Sequence, residues 1–382
     1  MLHNVLEFDE EDYQCIFEIL LSNLEKDDVQ ATTDRDYYGT AINSLNGTAL
    51  IALIRLGLKI GDSNNNIIEH IRKKIFELLS QKNKIIYSVI GRYYPWMQYI
   101  VKDRLEKLRT SLFNKKDTEL FFASFGSYLY NRLYFSLFDE LKEYYLFAIQ
   151  NDMFVENGNL SYIGGSLGDH LGILLYQKMI KKDDEIGKAL LNSPQLLRRA
   201  IWWIISSLTN DKIEDRKISD DLKDVWDSIL TCVRLGIERY KNVFDSFTML
   251  LDSSYFKEDE KWMISTTISL LQNRCIESKF WGREIYKNFA DAAQKEDLYN
   301  DIIDFLEIYL IKPEYDEKYS PESFKCPYNS DSYEINQIFK ALLEGNLDKA
   351  QKDRLYNIFN TLSNYGFYHR VEKFIEQVRN HA

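Results

Sequence analysis

The stretch Tyr37–Ile60, "YYGTAINSLNGTALIALIRLGLKI", decides how the rest of the chain is read. From Ala41 onward, Ile42, Leu45, Ala49, Leu50, Leu53 and Ile54 recur at helical spacing, and Ala52, Leu56 and Ile60 widen that stripe. A helix apolar nearly all round is a buried one, so the spacing predicts a helix over 40–61 that serves as a packing spine. Asn43 and Ser44 are suited to cap its start, and Gly47 removes the side chain that would hold a neighbour away. The run is too short to span a bilayer and carries Arg55 and Lys59.

Outward from this stretch the same 3.6-residue periodicity continues, with helices expected over 9–24, 65–80, 84–91, 95–111, 117–130, 134–151 and onward to 365–380. No segment alternates apolar and polar residues between Gly/Asn turns as a sheet would require. With only 5 Pro and 16 Gly in 382 residues, turn punctuation is sparse. The expected fold is therefore all-α, an array of helix pairs like those of a solenoid of tetratricopeptide or HEAT type, with degenerate repeats because no strict repeat is visible. Three of the five prolines fall in "KPEYDEKYSPESFKCPYNSDS" (312–332), the one long stretch without helical pattern. It divides a main array, 1–311, from a C-terminal helical unit, 333–382, packing on it.

A net charge of −11 argues against general nucleic-acid binding, which needs clustered Lys and Arg. The N-terminus lacks the charged and apolar regions of a secretory signal, and four cysteines without paired spacing read as reduced thiols, so a cytoplasmic protein is expected. There is no phosphate-binding loop, no dinucleotide fingerprint and no zinc-ligand spacing, so neither cofactor nor metal is expected. His3, His70, His170, His369 and His381 lie far apart. Asp169 beside His170 is the best catalytic pair on offer, but adjacent helical residues point about 100° apart and share no face. The expectation is a chain that is not an enzyme. Gly164, Gly168 and Gly172 stand four apart on one helix face, where the simple reading is close approach of another helix. In "QLLRRAIWWII" (195–205), Arg198 with Trp202 and Arg199 with Trp203 stand at i, i+4 spacing, which permits cation–π contact or an exposed binding patch; Arg199 and Trp203 are candidate partner-binding residues. In "GRYYPW" (91–96), Pro95 is suited to the first turn of a helix, and Tyr93, Tyr94 and Trp96 to anchoring the preceding one. Arg92 is either a buried hydrogen-bonding knot or a surface contact.

Several of these segments, in order, resemble the C-terminal helical-repeat sensor region of bacterial antiviral STAND NTPases. The matching residues of the first are Ala41, Ile42, Asn43, Ser44, Gly47, Ala49, Ala52 and Leu53; where that family places a basic residue before the glycine, this chain has Asn46. "SVIGRYYPWMQYIVKDRLEKL" (88–108) is similar to a G-R-Y-F-P-W-L segment, with Gly91, Arg92, Pro95 and Trp96 as its core, and 121–149 to an aromatic helix pair. Then 167–176, 190–208, 224–230 and 335–375 follow the same order. The resemblance implies a helical sensor that binds a viral protein, without the family's ATPase, whose partners are a phage protein or a separate ATPase or effector chain. The rival expectation is a cellular scaffold or adaptor that joins two proteins and has no viral ligand.

Overall fold

A computed structural model describes residues 10–24, 35–61, 65–156, 159–210, 220–276, 281–311 and 326–380. Apart from one antiparallel pairing of Val155–Glu156 (β1) with Asn159–Leu160 (β2), the regular structure among them is helical, as the periodicity predicts. Two compact units emerge from the packing, one comprising 1–173 with 183–196 and the other 174–182 with 197–382. This division falls inside the expected 1–311 array. Residues 312–325 of the expected linker lie outside the described residues, and helix has already begun at Tyr328.

The first unit holds α1 (Glu10–Leu24), α2 (Tyr37–Ile42), α3 (Leu45–Ile60), α4 (Asn65–Ser80), α5 (Lys84–Val101), α6 (Leu105–Leu112), α7 (Thr118–Leu129), α8 (Phe135–Gln150), most of α9 (Tyr162–Tyr176) and α10 (Glu185–Leu191). Helices two apart in sequence pack together, α1 on α3, α3 on α5 and α5 on α7, which is the arrangement of a helical-repeat array. The opening stretch is two helices rather than one. Ser44 breaks it: its backbone is extended, its Oγ accepts from Gly47 N at 3.0 Å, and Asn43 closes α2 by donating to Gly39 O. A Cβ on Gly47 would stand 2.1 Å from Ala41 O, so the neighbour that glycine admits is the preceding turn. Leu50, Leu53, Ile54 and Ile60 are buried as expected, whereas Ile42 and Leu45, at the corner, are exposed.

A second difference lies at Pro95. Expected to open a helix, it sits inside α5, which runs unbroken from Lys84 to Val101. Proline lacks the N–H that would bond the carbonyl four residues back, here that of Gly91. Tertiary packing overrides that penalty: Gly91 and Pro95 are buried, and a Cβ on Gly91 would lie 2.1 Å from Ser124 O on α7. The helix ends instead at Lys102, which has a positive φ of 49°. Beneath this crossing Phe113 meets Tyr94 at 5.0 Å, Tyr144 at 5.3 Å and Phe125 at 5.6 Å, and Phe125 meets Tyr145 at 5.3 Å. Each such pair is worth about 0.5–1.5 kcal/mol beyond its buried area.

The second unit contains α11 (Pro194–Asn210) from Leu197 onward, α12 (Asp220–Arg234), α13 (Phe247–Leu251), α14 (Tyr255–Glu258), α15 (Glu260–Gln272), α16 (Arg283–Ala292), α17 (Tyr299–Leu310), α18 (Tyr328–Leu343), α19 (Lys349–Leu362) and α20 (Tyr368–Asn380). The rule of alternate neighbours returns: α15, α17 and α19 form one succession and α16, α18 and α20 another. Pro194 stands at the first position of α11, where its missing N–H costs nothing. Trp226 stacks on Trp262 at 5.2 Å, and Phe289, Phe305, Tyr309 and Trp281 form a stack whose closest centroids are 4.1 Å apart. The C-terminal helices thus continue the packing of α16 and α17. No helix among the described residues is long and apolar enough to cross a membrane.

Candidate functional site

Because α5 continues through Pro95, Arg92, Trp96 and Tyr99 stand at i, i+4 and i+7 on one face, with Tyr93 beside them. This face is not in the core. Arg92, Tyr93 and Trp96 are half-buried, and Tyr99 is 61% exposed. Around it the first unit brings aromatic rings from four other segments. Tyr93 and Trp96 lie 5.8 Å apart, and Trp96 meets Tyr134, just before α8, edge-on at 5.8 Å. On the Arg92 side, Tyr38 of α2, Tyr130 at the end of α7 and Tyr162 at the start of α9 form a ladder with centroid spacings of 6.4 and 5.5 Å. Tyr162 is 79% exposed.

Arginines bracket these rings. Arg55 of α3 donates from Nε to Tyr93 Oη at 3.1 Å, the Arg92 guanidinium lies 5.6 Å from the Tyr38 ring centre, and Arg132 lies 5.6 Å from that of Tyr134. Arg92 is not a hydrogen-bonding knot: its side chain reaches the half-exposed ring of Tyr38, and its Nη1 is shut off from solvent with no hydrogen-bond partner. An unsatisfied buried donor costs about 1–3 kcal/mol, more on a charged group. Burial pushes Tyr130 up to about 12, with Asp36 adding to the shift, so its hydroxyl stays protonated at neutral pH.

Two polar clusters hold this face in place from behind. Asn131 donates from Nδ2 to Arg92 O at 2.8 Å, and its own carbonyl accepts from His170 Nε2 at 2.8 Å. A carbonyl only accepts, so the imidazole proton is on Nε2 and Nδ1 accepts from Tyr145 Oη at 2.8 Å. His170 is thereby a buried tie among α5, α7, α8 and α9, and burial lowers it to about 4. Both its nitrogens are occupied in the core, and Asp169 is turned to a half-buried position. In the second cluster Glu119 of α7 accepts from Tyr37 Oη at 2.7 Å and pairs with Arg35 at 2.7 Å and Lys84 at 3.1 Å. The Tyr37 hydrogen bond, ahead of the two cations, lowers the Glu119 carboxyl below the usual range, and burial, ahead of Glu119, raises Tyr37. Such shifts keep both groups in the forms they already hold at neutral pH.

The candidates of 195–205 lie in the second unit. Arg199 stacks on Trp202 at 4.2 Å, and Trp202 is the more exposed ring of the pair. Three residues of separation place Arg199 over the nearer indole, while Trp203 turns half inward. Arg198 pairs with Asp245 at 2.5 Å rather than with an indole. Of the glycine face, Gly164 does admit a close approach, but of the Phe154 carbonyl, 2.5 Å from where its Cβ would be, rather than of a helix. Among the described residues no three His, Cys, Asp or Glu side chains gather as a metal site would require. Comparison with protein-family models, curated proteins and solved structures gave no match.

Arg55, Tyr38, Tyr130, Arg132, Tyr134 and Tyr162 were not singled out in the sequence. Placing a helix start at Pro95 put Arg92 and Tyr99 on different elements and hid their common face. Read as one helix from 84, the i, i+4, i+7 spacing of Arg92, Trp96 and Tyr99 would have exposed it.

Proposed function

We propose that this chain is a protein-recognition module with no catalytic role of its own, the sensor part of a bacterial anti-phage defence protein that binds a viral protein. The observation that carries the reading is the aromatic and arginine-rich face of α5. Tyr, Trp and Arg are the residues that dominate binding energy at protein interfaces, and here they stand half-exposed on a helix fixed from behind. The face includes Arg92 and Trp96 of the GRYYPW segment, the most specific piece of the resemblance to the STAND sensor region. On the same reading the partner chain that turns recognition into a response supplies the ATPase or effector.

Affinity capture from bacterial lysate before and after phage infection, with the intact chain and its Tyr162→Ser variant, tests this. Tyr162 is 79% exposed, so the variant leaves the core untouched. The expected result is a phage protein retained only after infection and lost from the variant. Retention of host proteins alone, unchanged by infection, would sink the defence reading in favour of a cellular scaffold.

A further inference from the structure

The first unit treats its arginines in two ways. Arg35, Arg72, Arg104 and Arg109 each hold a carboxylate, of Glu119, Glu69, Glu69 and Glu140, at 2.7–3.1 Å. Arg55, Arg92 and Arg132 have no carboxylate within ion-pair distance among the described residues, and their contacts are with tyrosine. In a chain with 59 acidic and 48 basic side chains, three neighbouring arginines that hold no ion pair leave a local positive charge that Asp36, which acts on Tyr130 beside Arg92, offsets only in part. They are also contiguous. Tyr93 joins Arg55 to Trp96, Trp96 joins Tyr134 and through it Arg132, and Asn131, next to Arg132, bonds the Arg92 carbonyl.

We propose that the α5 face binds an acidic segment of a protein partner, whose carboxylates pair with Arg55, Arg92 and Arg132 and whose apolar side chains pack on Tyr93, Trp96 and Tyr134. This rests on the recognition reading above and names the chemistry of the partner. Arginine presents a planar fork that accepts a carboxylate through two parallel hydrogen bonds and still stacks on an aromatic ring, so all three can gain a carboxylate without leaving their tyrosines. A single-stranded nucleic acid could use arginines and rings as well, but it needs a continuous positive groove along its backbone. Here the positive charge is one cluster of three arginines, Arg35 and Lys84 are paired with Glu119, and the chain carries a net charge of −11.

The test uses the full chain and a fluorescein-labelled peptide alternating glutamate with phenylalanine, followed by polarisation. Its controls are the same peptide with glutamine for glutamate, and labelled oligothymidylate. The expected result is binding of the glutamate peptide that weakens with added salt, exceeds both controls, and falls roughly tenfold in the Arg55→Ala, Arg132→Ala double variant. Both residues are exposed, so circular dichroism is expected to show the double variant folded. Equal binding of the glutamine peptide, an unchanged affinity in the double variant, or a preference for oligothymidylate would each overturn the proposal. None of these depends on infection: loss of phage-specific capture removes the defence reading, whereas failure with the peptide removes only this face as an acid-binding surface.

Discussion

Burial holds His170 near 4 in the folded chain, while an unfolded histidine titrates near 6.5. Between those values the unfolded state carries a proton that the folded state does not, so stability rises with pH across that window and is lost as pH falls through it. Going from pH 6.5 to pH 5 removes about 2 kcal/mol by this route, above the range in which carboxylates dominate acid unfolding. The expected observation is a urea midpoint that drops over this interval, and a His170→Leu variant that is less stable at pH 7 but nearly flat between the two pH values. An unchanged slope in the variant would assign the pH dependence to other groups. The sequence showed that Asp169 and His170 share no face, which is a local fact of helix geometry. It could not show Tyr145 and Asn131 as partners, because those contacts span 25 and 39 residues.

At the scale of elements, the crossing of α5 and α7 sets the position of the candidate face, and Gly91 permits it. Gly91→Ala places a methyl group 2.1 Å from the Ser124 carbonyl, a backbone atom that a rotamer change cannot move. Overpacking of this kind costs about 1–3 kcal/mol, set against the gain of roughly 0.5–1 kcal/mol that alanine brings to a helix interior. Chemical denaturation is therefore expected to show a net loss of about 1–2 kcal/mol; a variant as stable as the parent would mean that the helices separate at little cost. Helix type and most helix positions were legible because apolar spacing is a local signal repeated many times. The corner at Ser44 and the continuity through Pro95 were not. In the first, a cap inside an apolar run turns the chain, so the capping residue was visible and the helix before it was not. In the second, a residue that ends isolated helices is carried by burial against α7, and buried contacts are what a single sequence does not display.

For the whole molecule, the tryptophans give each compact unit a different optical weight. Trp96 is in the first unit, while Trp202, Trp203, Trp226, Trp262 and Trp281 are in the second. Tryptophan fluorescence therefore reports mainly the second unit, and far-ultraviolet circular dichroism reports helices of both. Each unit has its own aromatic core and its own succession of alternate helix contacts, so a lesion confined to one is expected to lower that unit first. In Gly91→Ala the dichroism transition should begin at lower denaturant than the fluorescence transition, with the two curves closer together in the parent. If they coincide in the variant, the chain unfolds as one cooperative body, and the two packing units have no separate thermodynamic existence. If they diverge, the α5 face stands on a scaffold whose stability is set by contacts such as Gly91 against Ser124 and His170 against Tyr145. Loss of partner binding in a core variant would then report loss of that scaffold, while loss in Tyr162→Ser would report the surface itself.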